Sequence, residues 1–283
     1  MTADRAMEGL PKDAAHDLEQ IAREMRRAIL RTTNRAGCGH TGGSLSEVEI
    51  LTALYFQAMN IDPARPDWPD RDRFILSKGH ATPGYYVALA KRGYFGEAVL
   101  DTFDHIDSIL QGHPDMRKTP GVDMSTGSLG QGLSAGIGMA LGGAWDGRSY
   151  WTYVLMGCGE LQEGQVWEAA MFAGAHRVPR LIGVVDYNRV QLTGTSDEVL
   201  SVEPLASKFE AFGWHVLACD GHALPQLLAT LEEAKTWTEG PVLVIARTVK
   251  GKGVSFMENQ FAWHGKAPDD SEAERAINEV MQG

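Results

Sequence analysis

Trp151-Thr152-Tyr153-Val154-Leu155-Met156-Gly157-Cys158-Gly159-Glu160-Leu161-Gln162-Glu163-Gly164 reads as a buried strand, a glycine-bearing loop and the approach to a helix. The apolar run has the length of a strand. The glycines let backbone come close to a ligand, and a helix over residues 165–176 would offer N–H groups to an anion. The same arrangement recurs on both sides. Short apolar runs at 74–76, 181–185, 215–218 and 242–246 alternate with helical stretches at 83–92, 129–145, 204–212 and 224–237. Such alternation implies a mostly parallel sheet covered on both faces. The expectation is one three-layer α/β/α sandwich domain over residues 1–283, with ligands held in the loops after the strands.

Toward the N-terminus, Leu18, Ile21, Ala22, Met25 and Ile29 share one helical face. A second helix is expected to start at Ser44, with Glu47 completing a capping box, and to run to about Met59. Residues 62–70 hold three prolines and read as a loop.

Composition narrows the function. With 283 residues, 43% of them apolar, the chain can bury a large core. A net charge of −11 disfavours nucleic acid and anionic membrane as partners. An anionic ligand therefore needs a locally built site of backbone N–H groups, histidines or metal. Cys38, Cys158 and Cys219 stand far apart with no paired spacing, which fits a reducing compartment. Residues 1–16 are polar and mixed in charge, unlike a signal peptide, and no apolar run approaches the roughly 20 residues of a membrane span. A cytoplasmic location is expected.

Three features carry chemistry. The first pairs the loop 157–164 with Asp186-Tyr187-Asn188-Arg189-Val190, which ends the next strand. Two strand-end loops so placed can grip one diphosphate–metal unit, with an amide oxygen from Asn188 and a backbone carbonyl near Val190 as hard ligands. The second is Gly127-Ser128-Leu129-Gly130-Gln131-Gly132, opening a helix rich in small residues. Such a helix packs closely and brings its start near a ligand. The third is a set of four histidines in glycine-containing loops: His40, His80, His113 and His264. Imidazole donates to phosphate and moves protons near neutral pH. Taken singly, each loop also fits an ordinary turn and each histidine an ordinary structural role. The other five, His16, His105, His176, His215 and His222, read as structural.

These blocks resemble the transketolase family. The loop 157–164 with Asp-x-Asn-Arg is similar to its thiamine-diphosphate motif. Residues 39–44, 76–81, 127–132 and 262–268 look like further blocks, all in the family's order. The resemblance implies thiamine diphosphate and a divalent cation such as Mg²⁺, Ca²⁺ or Mn²⁺. It implies that His80 and His264 touch the diphosphate, and that His40 and His113 face the donor sugar. His40 and His264 would move protons in ketol transfer. Gly127, Ser128 and Leu129 would border the cofactor, with Leu192 near the thiazolium. Gly157, Cys158, Gly159 and Glu160 would line the diphosphate, and Asn188 and Val190 the metal. Glu163 would join an acidic network across a subunit interface.

Two departures qualify this. The family's pyrimidine-binding and C-terminal domains lie beyond a stretch of this length, so they are expected on a partner subunit, in an α2β2 heterotetramer that acts on sugars. Cys158 stands where the family motif has an aspartate that ligates the metal, and thiol sulfur suits softer ions. The rival readings are a non-catalytic scaffold subunit with a decayed metal site, and the α subunit of another thiamine-diphosphate enzyme.

Overall fold

Seven strands form in the computed structural model, which describes residues 12–282. They are β1 Arg73–Leu76, β2 Thr152–Gly157, β3 Leu181–Tyr187, β4 Val190–Gln191, β5 Gly194–Thr195, β6 His215–Asp220 and β7 Val242–Arg247. Residues 1–11, part of the segment read above as unlike a signal peptide, and Gly283 lie outside the described residues.

The five longer strands build one sheet in the order β1-β2-β3-β7-β6, every neighbouring pair parallel. Parallel strands need crossovers, and helices supply them. In chain order the helices are α1 Lys12–Ala36, α2 Thr41–Ser46, α3 Val48–Ala53, α4 Thr82–Arg92 and α5 Gln131–Trp145. There follow α6 Gly164–Ala175, α7 Ser196–Leu200, α8 Leu205–Ala211, α9 Leu224–Thr236 and α10 Asp270–Gln282.

Alternate strand residues enter two separate cores. Phe74, Tyr153, Leu155, Val184 and Val244 pack with residues of α1, α3, α4 and α9. Ile75, Val154, Met156, Val185 and Leu243 pack with residues of α5, α6 and α8. This is why the strands are apolar at nearly every position, and it makes the expected α/β/α sandwich. The small residues of α5 let it lie against the sheet. A Cβ added at Gly136 would stand 2.4 Å from Val154 Cγ2.

The sequence reading placed a helix start in the wrong position. The helix begins at Thr41, not Ser44, and Ser44 Oγ donates to the carbonyl of His40 at 2.9 Å. Glu47 caps nothing: it sits at the junction of α2 and α3, fully buried. A true capping box opens α7, where Thr195 and Glu198 bond reciprocally. The β4–β5 hairpin and α10 were not anticipated.

Candidate functional site

Because the sheet is parallel, the loops after β1, β2, β3 and β7 leave from the same end. They enclose a cavity of about 380 Å³ with the loop before α2 and the segment before α5. His40, His80 and His264 meet there, with ring centroids 4.9, 5.1 and 5.4 Å apart. Burial disfavours the charged form of all three, and nearby lysines and imidazoles push the same way. His80 falls to about 2, His264 to about 3, and His40 below its ordinary value. All three are therefore neutral near pH 7, each with one N–H to donate and one nitrogen to accept.

Two lysines lie beneath them. Lys78 Nζ is 2.5 Å from Asp186 Oδ2 and 2.8 Å from Glu47 Oε2, with the three side chains almost fully buried. The contact with Glu47 lacks hydrogen-bond alignment, and Glu47 Oε1 has no hydrogen-bond partner among the described residues. Asp186 also accepts from Ser46, Asn188 and Thr248. Burial lifts Glu47 to about 8 against the pull of Lys78. Burial pushes Asp186 upward too, but Lys78 and the hydroxyl donors hold it below its ordinary value. One ammonium thus faces Asp186, whose ionised form is favoured, and Glu47, whose ionised form burial disfavours.

Lys250 is different. It is 3% exposed, and no carboxylate among the described residues lies within ion-pair distance. Its Nζ donates to Val190 O at 3.0 Å and lies 2.7 Å from His264 Nδ1. An ammonium can only donate, so Nδ1 accepts and the hydrogen of His264 sits on Nε2. Burial and the charge of Lys78 lower Lys250 to about 8. A buried cation with no carboxylate in direct contact, on the wall of a cavity, fits an anionic ligand.

The glycine motif is braced by Glu160, 2% exposed. Its carboxylate accepts from Ser77 Oγ at 2.5 Å, Gly130 N at 2.8 Å and Gly157 N at 3.0 Å, tying three loops together. Cys158 is also 2% exposed. Its Sγ accepts from Arg189 N at 3.1 Å and lies 3.7 Å from Asn188 Oδ1. Among the described residues no group of three or more His, Cys, Asp or Glu is placed to hold a metal. Cys158 Sγ and Asn188 Oδ1 lie side by side, and Val190, whose carbonyl accepts from Lys250, lines the same cavity. Mg²⁺ commonly binds through one or two carboxylates plus phosphate and water, so this carboxylate-free set fits a cation whose anionic oxygens come from a diphosphate.

Of the residues expected from sequence, His40, His80, Gly127, Leu129, Gly157, Cys158, Gly159, Glu160, Glu163, Asn188, Val190, Leu192 and His264 all line the cavity. Leu192, at the β4–β5 hairpin, is 62% exposed. Glu163 is exposed at the start of α6. Ser128 and His113 are exposed and outside the cavity lining. His113 stands behind Gly127, where an added Cβ would meet its Cδ2 at 3.0 Å. Sequence reasoning missed Lys78 and Lys250 as site residues. The available signal for Lys250 was Lys250-Gly251-Lys252-Gly253, a lysine–glycine loop just after a strand.

Fold and site together define a class: a parallel α/β sandwich with a cavity suited to an anionic ligand at the carboxyl ends of its strands, lined by neutral imidazoles and a buried ammonium. Residues 18–280 match the family described as "Transketolase, thiamine diphosphate binding domain", and the chain belongs to that family. It is 46% identical over 264 residues to the 6-deoxy-6-sulfo-D-fructose transketolase subunit SqwG of Clostridium sp. (strain MSTE9), covering 93% of this chain and 96% of that protein. It is 44% identical over 273 residues to an apulose-4-phosphate transketolase subunit of Actinobacillus succinogenes, covering 95% and 98%. The transketolase from Leishmania mexicana superposes with a TM-score of 0.88 at 27% identity, over 93% of this chain and 41% of that one.

Proposed function

We propose that this chain is the diphosphate-binding subunit of a transketolase that carries a two-carbon ketol unit from a ketose donor to an aldehyde acceptor. Lys250 carries the reading: a buried ammonium without a carboxylate, beside three neutral imidazoles in one strand-end cavity. Thiamine diphosphate, when bound, supplies the nucleophile that opens the carbon–carbon bond beside the ketose carbonyl. His80, His264 and Lys250 would donate to its diphosphate, with Gly157 and Gly159 allowing close approach. Asn188 and Val190, with Cys158 as a soft third donor, would hold a divalent cation such as Mg²⁺. Gly127, Leu129 and Leu192 would border the rings. His40, in contact with both other imidazoles, would hold or pass a proton at the sugar's hydroxyl groups. His113, outside the cavity lining, would meet the donor sugar farther from the diphosphate.

The chain would act as one diphosphate-binding domain with a partner subunit carrying the pyrimidine side, as an α2β2 heterotetramer. Two relatives bear the word subunit in their names, and each is covered over most of its length. Large apolar side chains are also exposed: Trp145 on α5, Met171 and Phe172 on α6, and Val199 and Leu200 on α7. No described helix is long and apolar enough to cross a membrane. All three cysteines are free, which suits the cytoplasm. Calorimetric titration of the chain, with and without a co-purifying subunit, with thiamine diphosphate and Mg²⁺ tests the core of this reading. Absence of binding in both forms would refute it.

A further inference from the structure

We propose that His222 is a positioning residue for this site: it clamps the backbone that presents Lys250 to the cavity. The inference rests on the functional reading above only in naming the ligand. Strands β6 and β7 pair side by side, with Asp220 opposite Arg247. The loops after them therefore leave from adjacent points. The amide of His222 donates to Asp220 Oδ1 at 2.9 Å, which fixes its turn. Its ring then bridges two groups of opposite kind. Val249 N lies 2.8 Å from Nε2, and Glu49 Oε2 lies 2.8 Å from Nδ1. A backbone N–H only donates, so Nε2 accepts and Nδ1 carries the hydrogen given to Glu49.

Glu49 is itself anchored. Arg26 grips both of its oxygens, at 2.6 and 2.7 Å, and Arg26 Nε donates to Lys252 O at 3.0 Å. Residues 249 and 252, on either side of Lys250, are thus held by α1, α3 and the loop after β6, through Arg26, Glu49 and His222, none of which lines the cavity. Gly251 N adds a bond to Gly42 O at 3.0 Å, and Lys250 O accepts from Asn259 N at 2.9 Å. With its neighbours fixed, Lys250 directs its side chain the other way, to Val190 O and His264. An imidazole suits this place because a rigid ring holds donor and acceptor at a set separation. Without it the Val249 amide is released and Lys250 loses one of its supports.

The test is a double-mutant cycle in the full-length chain with its co-purifying subunit, titrated with thiamine diphosphate at fixed Mg²⁺. His222→Ala should weaken binding about tenfold, the scale of one lost hydrogen bond. His222→Gln, which keeps a donor and an acceptor, should recover affinity to within about threefold. In a Lys250→Met background, His222→Ala should change affinity less than about twofold, because the two residues act as one unit. Equal losses in both backgrounds, or unchanged affinity in His222→Ala, overturn the proposal. Failure of the wild type to bind thiamine diphosphate refutes the functional reading instead. The clamp is then still read in the wild-type chain by long-range ¹H–¹⁵N correlation of the imidazoles at pH 7. The proposal requires the Nδ1–H tautomer of His222, and the Nε2–H tautomer overturns it.

Discussion

Lys78 Nζ and Asp186 Oδ2 stand 2.5 Å apart under the cavity, where water scarcely reaches either side chain. Removing one partner of such a pair leaves an uncompensated buried charge, which typically costs about 3–5 kcal/mol. Lys78→Met should therefore be strongly destabilising, with two carboxyls left facing each other. Glu47→Gln should be tolerated, because burial disfavours the charged form of Glu47 and Asp186 remains as the counter-charge of Lys78. The sign of the pH effect follows. Glu47 rises from 4.5 to about 8 on folding, so the folded chain holds the extra proton between those values. Its contribution to stability is full below the lower value and is lost as pH rises toward the higher one. Urea denaturation at several pH values from about 5 to 8 should show wild-type stability falling relative to Glu47→Gln. A parallel dependence in both chains would contradict this.

Lys250 should trade stability for binding. Its value drops from 10.5 to about 8 on folding, so the unfolded chain holds more protons between those values. Stability from this group rises with pH across that window, and the penalty is complete below about 8. A shift of this size corresponds to roughly 3 kcal/mol, from which the two lost hydrogen bonds must be subtracted. Ligand-free Lys250→Met should thus melt at a temperature equal to or higher than wild type at pH 7, while its affinity for thiamine diphosphate falls at least tenfold. A lower melting temperature with intact binding would count against the assigned role.

How much of this was legible in the sequence depended on what each signal encodes. The strands were, because Phe74 to Leu76 and Val242 to Ala246 are apolar on both faces, and only a doubly covered parallel strand demands that. Most of the cavity lining was too, because glycine beside histidine or asparagine marks loops where backbone must approach a ligand. Lys78 and Lys250 were not, since a lysine in a loop reads as solvated until its neighbours are known. Glu47 misled for the same reason: three residues beyond Ser44 it mimics a cap, while its carboxyl turns inward to Lys78. His222 was passed over because its partners, Glu49 and Val249, are distant in sequence.

The histidines should separate by role. His80 and His264 line the cavity and His113 does not. Charge-assisted donors to a diphosphate contribute about 1.5–3 kcal/mol each. Alanine at His80 or His264 should therefore weaken thiamine diphosphate binding by about tenfold or more. His113→Ala should leave cofactor affinity close to wild type and lower turnover of the donor sugar in the assembled complex. Loss of cofactor binding in His113→Ala, with binding retained in His264→Ala, would reverse the assignment.

The partner should be indispensable to catalysis. The purified chain alone is expected to show no ketol transfer with a broad panel of ketoses and aldehydes. Co-expression with the partner should restore it and give a complex of two copies of each by sedimentation. Introducing charge at an exposed apolar side chain, by Trp145→Glu or Phe172→Glu, should weaken assembly, with Trp145→Glu leaving the melting temperature of the lone chain unchanged. Trp145, 84% exposed, is the cleaner of the two, since Phe172 at 43% also rests on His176. Turnover by the lone chain would sink the idea.

Cys158 gives the sharpest test of the metal site. Its sulfur is buried, receives the Arg189 amide at 3.1 Å and the Ser196 hydroxyl at 3.6 Å, and faces Asn188 Oδ1 at 3.7 Å. It therefore occupies a donor position beside the Asn188 amide oxygen, which suits a hard ion. Aspartate there would add an anionic oxygen, which Mg²⁺ prefers to sulfur. Cys158→Asp should tighten Mg²⁺ and thiamine diphosphate binding, by a factor of ten for every ~1.4 kcal/mol gained. The wild type should be relatively better served by Mn²⁺. The ligand-free variant should respond in the opposite direction. Without a cation, a carboxylate so close to Asn188 Oδ1 is repelled and desolvated, so its melting temperature should fall. The signature is thus a lower starting temperature and a larger upward shift on adding cofactor and Mg²⁺. Calorimetric titration of both forms at fixed Mg²⁺, beside thermal melts, reads the two effects separately. Equal affinities with equal shifts would show that position 158 takes no part in holding the cation.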